Sequence, residues 1–390
     1  MSFHRPEGRP PSVGLIGVRG YGVTYVHELD RLAGLNRARF VACADMVAPA
    51  GAEAEVISRL GTHFFTDWRH MLFGPGAFDI VVIAAPIHLH AEMCLAAFAS
   101  NANVLVEKPP VVSLEDFEGL VAGSERNGVL CQVGFQSCGS LGLRRLRGLV
   151  AKAELGEPVR LVATGQWQRD RAYWSRSEWA GKEALGGALV RDGAFSNPFA
   201  HAVMNCLWAV GAGVGDAVRA VDIERYRANR IEVEDTGCMR VELVNGAEFV
   251  VAVTLCAEST EAPALHVRGP RGTVAWKYEG DALSFVADGR CWEEYFDRRS
   301  LLEELLAVVA GHVGSGHLSC PLGRTRPFVE VVEAVHSTPL WDVPAEYIRW
   351  EGEGDGTRAI IVGVEAAIRR AHGTGELFSE LGIPWAMRSA

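Results

Sequence analysis

The first apolar run, residues 13–17, ends in glycine, and behind it Val23, Val26 and Leu29 recur at helical spacing. This predicts a strand, a tight turn and a helix over residues 22–33. A second buried strand is expected over residues 39–45, a helix over 52–60 and a short extended piece over 62–65. The strand signal returns at 78–85 and 103–107, on either side of a helix at 90–100, and once more at 130–135. Strands alternating with helices at this interval imply βαβ units and a parallel sheet.

Beyond residue 136 the pattern changes to longer alternating segments at 159–167, 217–227, 236–244, 247–256, 264–269 and 273–278. Asn245-Gly246 and Pro270-Arg271-Gly272 are turn sequences that join neighbouring strands in antiparallel order. Helices are expected at 301–313, 326–337 and 356–370, and Pro198 precedes the apolar stretch 200–210, where a helix can start. The fold class is therefore α/β. A doubly wound parallel sheet occupies residues 1–135, and an α+β domain with a mostly antiparallel sheet occupies 136–390.

Composition supports two packed cores. The 390 residues exceed what one core usually holds, 48% are apolar and 22% are charged. The net charge of −10, with lysines and arginines dispersed, excludes a nucleic-acid footprint. Nine cysteines, with no CxxC pair and no zinc-ligand spacing with histidine, read as reduced thiols and imply no metal. The first ten residues lack the apolar stretch of a secretory signal, and no segment holds eighteen uninterrupted apolar residues. A cytoplasmic protein away from membranes is expected.

Candidate chemistry begins at the glycine turn, Gly17-Val18-Arg19-Gly20-Tyr21-Gly22. A strand that ends in glycines and opens a helix presents bare N–H groups and the positive end of the helix dipole to a pyrophosphate. Asp45, at the end of the next strand, suits the ribose hydroxyls of an adenosine and would repel a 2′-phosphate, which favours NAD over NADP. Arg19 stands where a glycine usually lets the backbone touch the pyrophosphate. Its side chain must turn aside or pair with a phosphate.

Three further stretches follow in order: Ala84-Ala85-Pro86 with His90; Glu107-Lys108-Pro109; and Gly186-Gly187 leading to Asp192-Gly193 and Asn197-Pro198-Phe199-Ala200-His201. With the glycine turn and the closing Gly375-Glu376-Leu377-Phe378 and Trp385, this order resembles the Gfo/Idh/MocA family of glucose-fructose oxidoreductases and inositol dehydrogenases. The resemblance implies a Rossmann domain followed by an open-faced sheet, with substrate between that sheet and the nicotinamide. It also implies a homo-oligomer, dimer or tetramer, paired through the sheet.

By resemblance, Lys108 polarises the reacting oxygen and His201 is the acid/base residue, with Ala85, Pro86, His90, Glu107 and Gln136 on the cofactor side; His88, between Pro86 and His90, either lines the cofactor or packs its loop. Hydride removal from an alcohol needs both a proton acceptor and a nearby cation. Two positions depart from the family pattern: Asn197 and Met204 stand four residues before and three after His201, where many members carry Asp. Either Asn197 orients His201 or Asp192 folds back to do so. Cys138 replaces a frequent arginine. Trp167 and Arg169, in an aromatic and arginine-rich stretch reaching Trp174 and Trp179, suit a polyol whose C–H faces and hydroxyls both need partners.

The expected activity is hydride transfer between NAD and a secondary alcohol or ketone of a sugar, cyclitol or related polyol. Two alternatives stand beside it. One is an NAD-dependent redox glycosidase, and the other is a non-catalytic dinucleotide-dependent sensor or partner-binding subunit that lost its carboxylates.

Overall fold

A computed structural model describes residues 9–74, 76–157, 159–211 and 218–386. Residue 217, the expected start of one strand, lies outside them. The first part of the chain forms β1 (Ser12–Ile16), α1 (Gly22–Gly34), β2 (Arg39–Ala44), α2 (Gly51–Leu60), β3 (His63–Phe65), α3 (Trp68–Phe73), β4 (Ile80–Ile83), α4 (His90–Ala99), β5 (Asn103–Val106), α5 (Leu114–Asn127) and β6 (Cys131–Val133). Next come α6 (Leu141–Ala151), β7 (Arg160–Gln168), α7 (Arg171–Trp174), β8 (Ala184–Leu185), β9 (Ala188–Leu189) and α8 (Ala200–Ala209). Seven strands follow: β10 (Val218–Arg227), β11 (Thr236–Leu243), β12 (Glu248–Thr254), β13 (Cys256–Gly269), β14 (Gly272–Lys277), β15 (Ala282–Ala287) and β16 (Arg290–Tyr295). The chain closes with α9 (Leu301–Val309), α10 (Arg326–Ser337), β17 (Leu340–Asp342), β18 (Ile348–Glu351), β19 (Arg358–Ile361) and α11 (Val364–Thr374).

These elements divide into two compact units, residues 1–111, 115–134 and 300–322 in one, 112–114, 135–299 and 323–390 in the other. In the first, six parallel strands take the order β3-β2-β1-β4-β5-β6. The central strands are apolar and buried along their whole length, as a sheet covered on both faces requires. This order reverses between β1 and β4, the crevice where such sheets hold ligands at their carboxyl ends. Segment 300–322, read from the sequence as part of the second domain, belongs to this unit. The Gln132 amide donates to the Leu301 carbonyl at 2.7 Å, Val133 N donates to the Cys320 carbonyl at 2.9 Å, and Glu303 accepts from Arg31 and Arg37.

In the second unit nine strands run in the order β16-β15-β14-β13-β7-β12-β11-β10-β17, antiparallel except for the β7–β12 and β10–β17 pairs. Gly165 on β7 and Gly237 on β11 admit two phenyl rings onto one face. A Cβ on Gly165 would stand 2.3 Å from the Phe199 ring, and one on Gly237 would stand 2.5 Å from Phe195. Both rings are fully buried and flank the stretch that leads into α8. The opposite face, over β7 and β10 to β13, is covered by the chain's own C-terminal residues, with Ile361, Val364, Ile368, Phe378 and Trp385 packed on Val162, Cys238, Val250 and Ala252. Glu224 and Arg240 secure that cover: Glu224 Oε2 accepts from Ser379 N at 3.1 Å, and Arg240 donates to Glu380 at 2.6 Å.

The helix expected at 356–370 starts later. The β-branched run Ile360-Ile361 lies in β19, and Gly363, at φ +83°, turns the chain into α11. The β15–β16 hairpin, absent from the sequence expectation, is closed by Asp288 and Gly289, both with positive φ. Among the described residues no helix is long and apolar enough to cross a membrane, and no three His, Cys, Asp or Glu side chains group as a metal site. All nine cysteines are free thiols, and only Cys291 is exposed.

Because the Gly165 site has no room for a methyl group, Gly165→Ala should destabilise the protein by about 1–3 kcal/mol, the usual cost of overpacking a close-packed core. Urea unfolding of the variant checks this; an unchanged midpoint would refute the packing account.

Candidate active site

The glycine turn follows β1 and is shaped by backbone contact. Gly17 has φ +88°, and a Cβ there would meet the Ala84 carbonyl oxygen at 2.3 Å; at Gly22 a Cβ would meet the Gly17 carbonyl oxygen at 2.1 Å. Gly20, with φ +56°, faces open space, so the backbone offers an approach there. Asp45 stands just past β2. Its Oδ2 accepts from Val18 N at 3.1 Å, and its Oδ1 accepts from Val47 N at 3.2 Å and from Arg19 Nε at 3.1 Å. Arg19 has thus turned aside onto the Asp45 carboxylate. Tyr21, Met46 and Val47 leave large apolar surface exposed around the turn. Met46 and Val47 were not read from the sequence; exposed apolar side chains directly after the acidic residue were the available signal.

The other sequence-selected residues of this unit gather at the same carboxyl edge. Ala85 and Pro86 follow β4, and Glu107 and Lys108 follow β5. His90, fully buried at the start of α4, ties the two loops together: Nε2 lies 2.8 Å from the Ala85 carbonyl and Nδ1 lies 2.8 Å from the Pro109 carbonyl. Burial pushes its pKa down, and the two carbonyls oppose that shift. His88 is half-buried, and burial lowers its pKa as well. Glu107 is buried and held by a residue that sequence reading passed over, Tyr25 on α1, whose hydroxyl donates to Oε1 at 2.6 Å. The second oxygen accepts from Lys108 N at 3.2 Å. Burial and the adjacent Glu107 carboxylate raise the Tyr25 pKa, which keeps the phenol a donor. A tyrosine three residues into α1 carries no recognisable motif, so only the fold reveals the pair.

In the second unit His201 is the second residue of α8. Ser137 Oγ lies 3.0 Å from its Nδ1, and the Phe135 ring packs edge-on at 5.5 Å. Ser137 was absent from the sequence expectation, although it adjoins Gln136, which was included. Asp192 lies beside Asn197: the Asn197 amide donates to Oδ1 at 2.7 Å, while Oδ2 accepts from Arg176 at 2.7 Å and from Gly181 N at 2.8 Å. Burial raises the Asp192 pKa, and Arg176 and Asn197 counter the shift. A carboxylate is therefore present beside Asn197, displaced in sequence yet joined in space.

Trp167 and Arg169 come together. Trp167 stacks on Phe199 at 4.5 Å, and the Arg169 guanidinium lies over Trp167 at 4.7 Å and over Tyr173 at 4.9 Å. Arg176 continues the ladder over Tyr173 at 4.0 Å and Trp179 at 4.7 Å, so Trp179 is anchored by the same arginine that holds Asp192. A second network holds the stretch before α8. Ser196 Oγ lies 3.1 Å from His336 Nε2, His336 Nδ1 lies 2.7 Å from Glu183, and Arg225 joins Glu234 at 3.1 Å.

Residues 12–135 match an oxidoreductase family described by its NAD-binding Rossmann fold, and residues 143–275 match the GFO/IDH/MocA C-terminal domain. Inositol 2-dehydrogenase from Salmonella typhimurium is 28% identical over 145 residues, 37% of this chain and 43% of that protein. The enzyme of the same name from Streptomyces avermitilis is 33% identical over 153 residues, 39% of this chain and 43% of that protein. The match thus spans less than half the length of these curated relatives. Among solved structures, the WlbA dehydrogenase of Bordetella pertussis in complex with NADH and UDP-GlcNAcA has a TM-score of 0.68 at 21% identity, covering 84% of this chain and 96% of that one. Levoglucosan dehydrogenase in complex with NADH gives 0.66 at 18% identity with the same coverage. At those identities the structural likeness establishes the fold. The two family matches establish more: this chain belongs to the Gfo/Idh/MocA family of oxidoreductases, and its first unit is an NAD-binding Rossmann domain.

Proposed function

We propose that the protein is an NAD-dependent dehydrogenase or reductase acting on a secondary alcohol or ketone of a sugar, cyclitol or related polyol. The observation that carries this reading is His201, fixed through Nδ1 by Ser137 at the start of α8, in a chain whose other unit holds Lys108 at the carboxyl edge of a dinucleotide-binding sheet. The residues fit the cofactor: Gly17 and Gly22 bring the turn close, Gly20 is open to a pyrophosphate, and Asp45 offers its carboxylate to a ribose. Bound NAD supplies the hydride acceptor or donor. Lys108 favours the developing alkoxide, and His201 exchanges the hydroxyl proton through Nε2 while Ser137 holds the ring. Asp192, through Asn197, steadies the segment that presents His201. Trp167 and Arg169 form the sugar-facing surface. The sugar ligands and activities named for the structural relatives support a substrate of this class.

We also infer a homo-oligomer formed through the second-unit sheet. At the rim of the face that the C-terminal residues cover, a row of Glu242 and Glu248, paired across β11 and β12, and Arg160 and Arg268, paired across β7 and β13, lies beside a groove of about 740 Å³. Arg160 and Arg268 are cross-strand neighbours of like charge, an unfavourable pairing for an isolated sheet. A two-fold axis would reverse the row and set its acidic half on the basic half of a second copy. Reduced thiols throughout fit a cytoplasmic setting.

A panel of polyols and sugars should reveal alcohol-dependent NAD reduction. His201→Ala should lower kcat by roughly 100- to 10,000-fold, the range for losing a positioned acid/base. Lys108→Ala should also abolish most turnover, and normal activity in both variants would end the assignment. Ser137→Ala should reduce kcat about fivefold, the worth of one ordinary hydrogen bond, with little change in KM. For the assembly, light scattering should show that Arg160→Glu with Arg268→Glu dissociates the oligomer; an unchanged mass would reject this interface.

A further inference from the structure

We propose that Arg19 makes the dinucleotide site accept the 2′-phosphorylated cofactor, NADP(H), alongside NAD(H). The inference rests on the dinucleotide reading of the glycine turn and concerns only its adenosine-ribose end. An aspartate at the end of β2 ordinarily excludes a 2′-phosphate, because its negative charge faces the oxygen that would carry the phosphate. Here that charge is already answered. Arg19 Nη2 lies 3.0 Å from Asp45 Oδ1 and Nε lies 3.1 Å from the same oxygen. Both donors converge on a single carboxylate oxygen, so the guanidinium retains N–H groups directed elsewhere, and about half of the Arg19 side chain is exposed.

The surroundings leave this role to Arg19. The segment after Asp45 runs Met46-Val47-Ala48-Pro49-Ala50, with no cation and no side-chain hydrogen-bond donor. Glu53, the acidic residue in the first turn of α2, lies 3.3 Å from the His27 ring. Arg19 is therefore the cation in direct contact with the carboxylate that fits the ribose, and a phosphate on the 2′-oxygen would arrive beside it. A planar guanidinium suits two oxygens of a phosphate, which a second carboxylate contact could not offer. A dinucleotide without the phosphate needs only Asp45, with Arg19 left on it or released to solvent. The same arginine thus offsets the repulsion that Asp45 would exert and supplies a partner for the phosphate.

The test is equilibrium binding of NADH and NADPH to the intact protein, read by nicotinamide fluorescence and requiring no substrate. The unaltered protein should bind the two within about tenfold of each other. Arg19→Ala and Arg19→Gly should weaken NADPH by about 10- to 100-fold, the value of a charge-assisted phosphate contact, while NADH changes less than about threefold. As a second probe, 2′,5′-ADP should displace NADH from the unaltered protein and lose that ability in the variants, whereas ADP should behave alike in both. Failure of NADPH to bind while NADH binds would overturn the inference. So would an equal loss of both cofactors in the variants, which would assign Arg19 to the shared pyrophosphate, or unchanged NADPH binding. Thermal unfolding of the variants confirms that they are folded. If neither dinucleotide binds the unaltered protein, the dinucleotide reading itself falls, an outcome separate from the others.

Discussion

The first unit depends on one close approach, the Gly17 backbone against the Ala84 carbonyl where the order of strands reverses. No residue with a Cβ fits there, so β1 and β4 draw together at their carboxyl ends and the loops that follow them meet. His90 then joins the β4 loop to the loop after β5, and Tyr25 reaches from α1 to Glu107. The glycine turn and the strand end that carries Lys108 are thereby parts of one braced edge. Backbone contact sets the geometry, and two buried side chains keep it.

The second unit relies on the same device with rings in place of carbonyls. Gly165 and Gly237 let Phe199 and Phe195 lie directly on the sheet, which places the stretch before α8. That stretch carries little regular structure of its own, so its polar groups are satisfied by long-range partners: Asp192 by Arg176 and Gly181, Ser196 by His336. Buried charges of this kind are tolerated when paired and hydrogen-bonded, and removing one partner leaves the other uncompensated. Their value here is placement. They fix the stretch that carries Asn197 and leads into α8.

Much of the architecture was legible along the chain because local signals and tertiary demands agree. The βα alternation, the glycine turn and the antiparallel strands after residue 136 all follow from periodicity and turn chemistry. The β15–β16 hairpin was passed over although Asp288-Gly289 marks it, because its outer strand alternates weakly and is mostly exposed. The helix expected at 301–313 reads the same in any setting, and the membership of segment 300–322 in the first unit rests on Glu303, Leu301 and Cys320 finding partners there. The C-terminal cover of the sheet was also illegible, since apolar residues after 343 announce burial without naming the surface that buries them.

The glycines, Asp45, Lys108 and His201 were placed on their elements from the sequence because each stands at a fixed offset from a strand or helix end. Their partners did not. Arg19 on Asp45, Tyr25 on Glu107, Ser137 on His201 and Asp192 on Asn197 pair groups between 5 and 82 positions apart. Hydrogen bonds at 2.6 to 3.1 Å depend on where the chain returns in space. The sequence by itself therefore determined which reactive groups exist and on which elements they stand, whereas tertiary structure decided how each is held, because separation along the chain carries no record of distance across it.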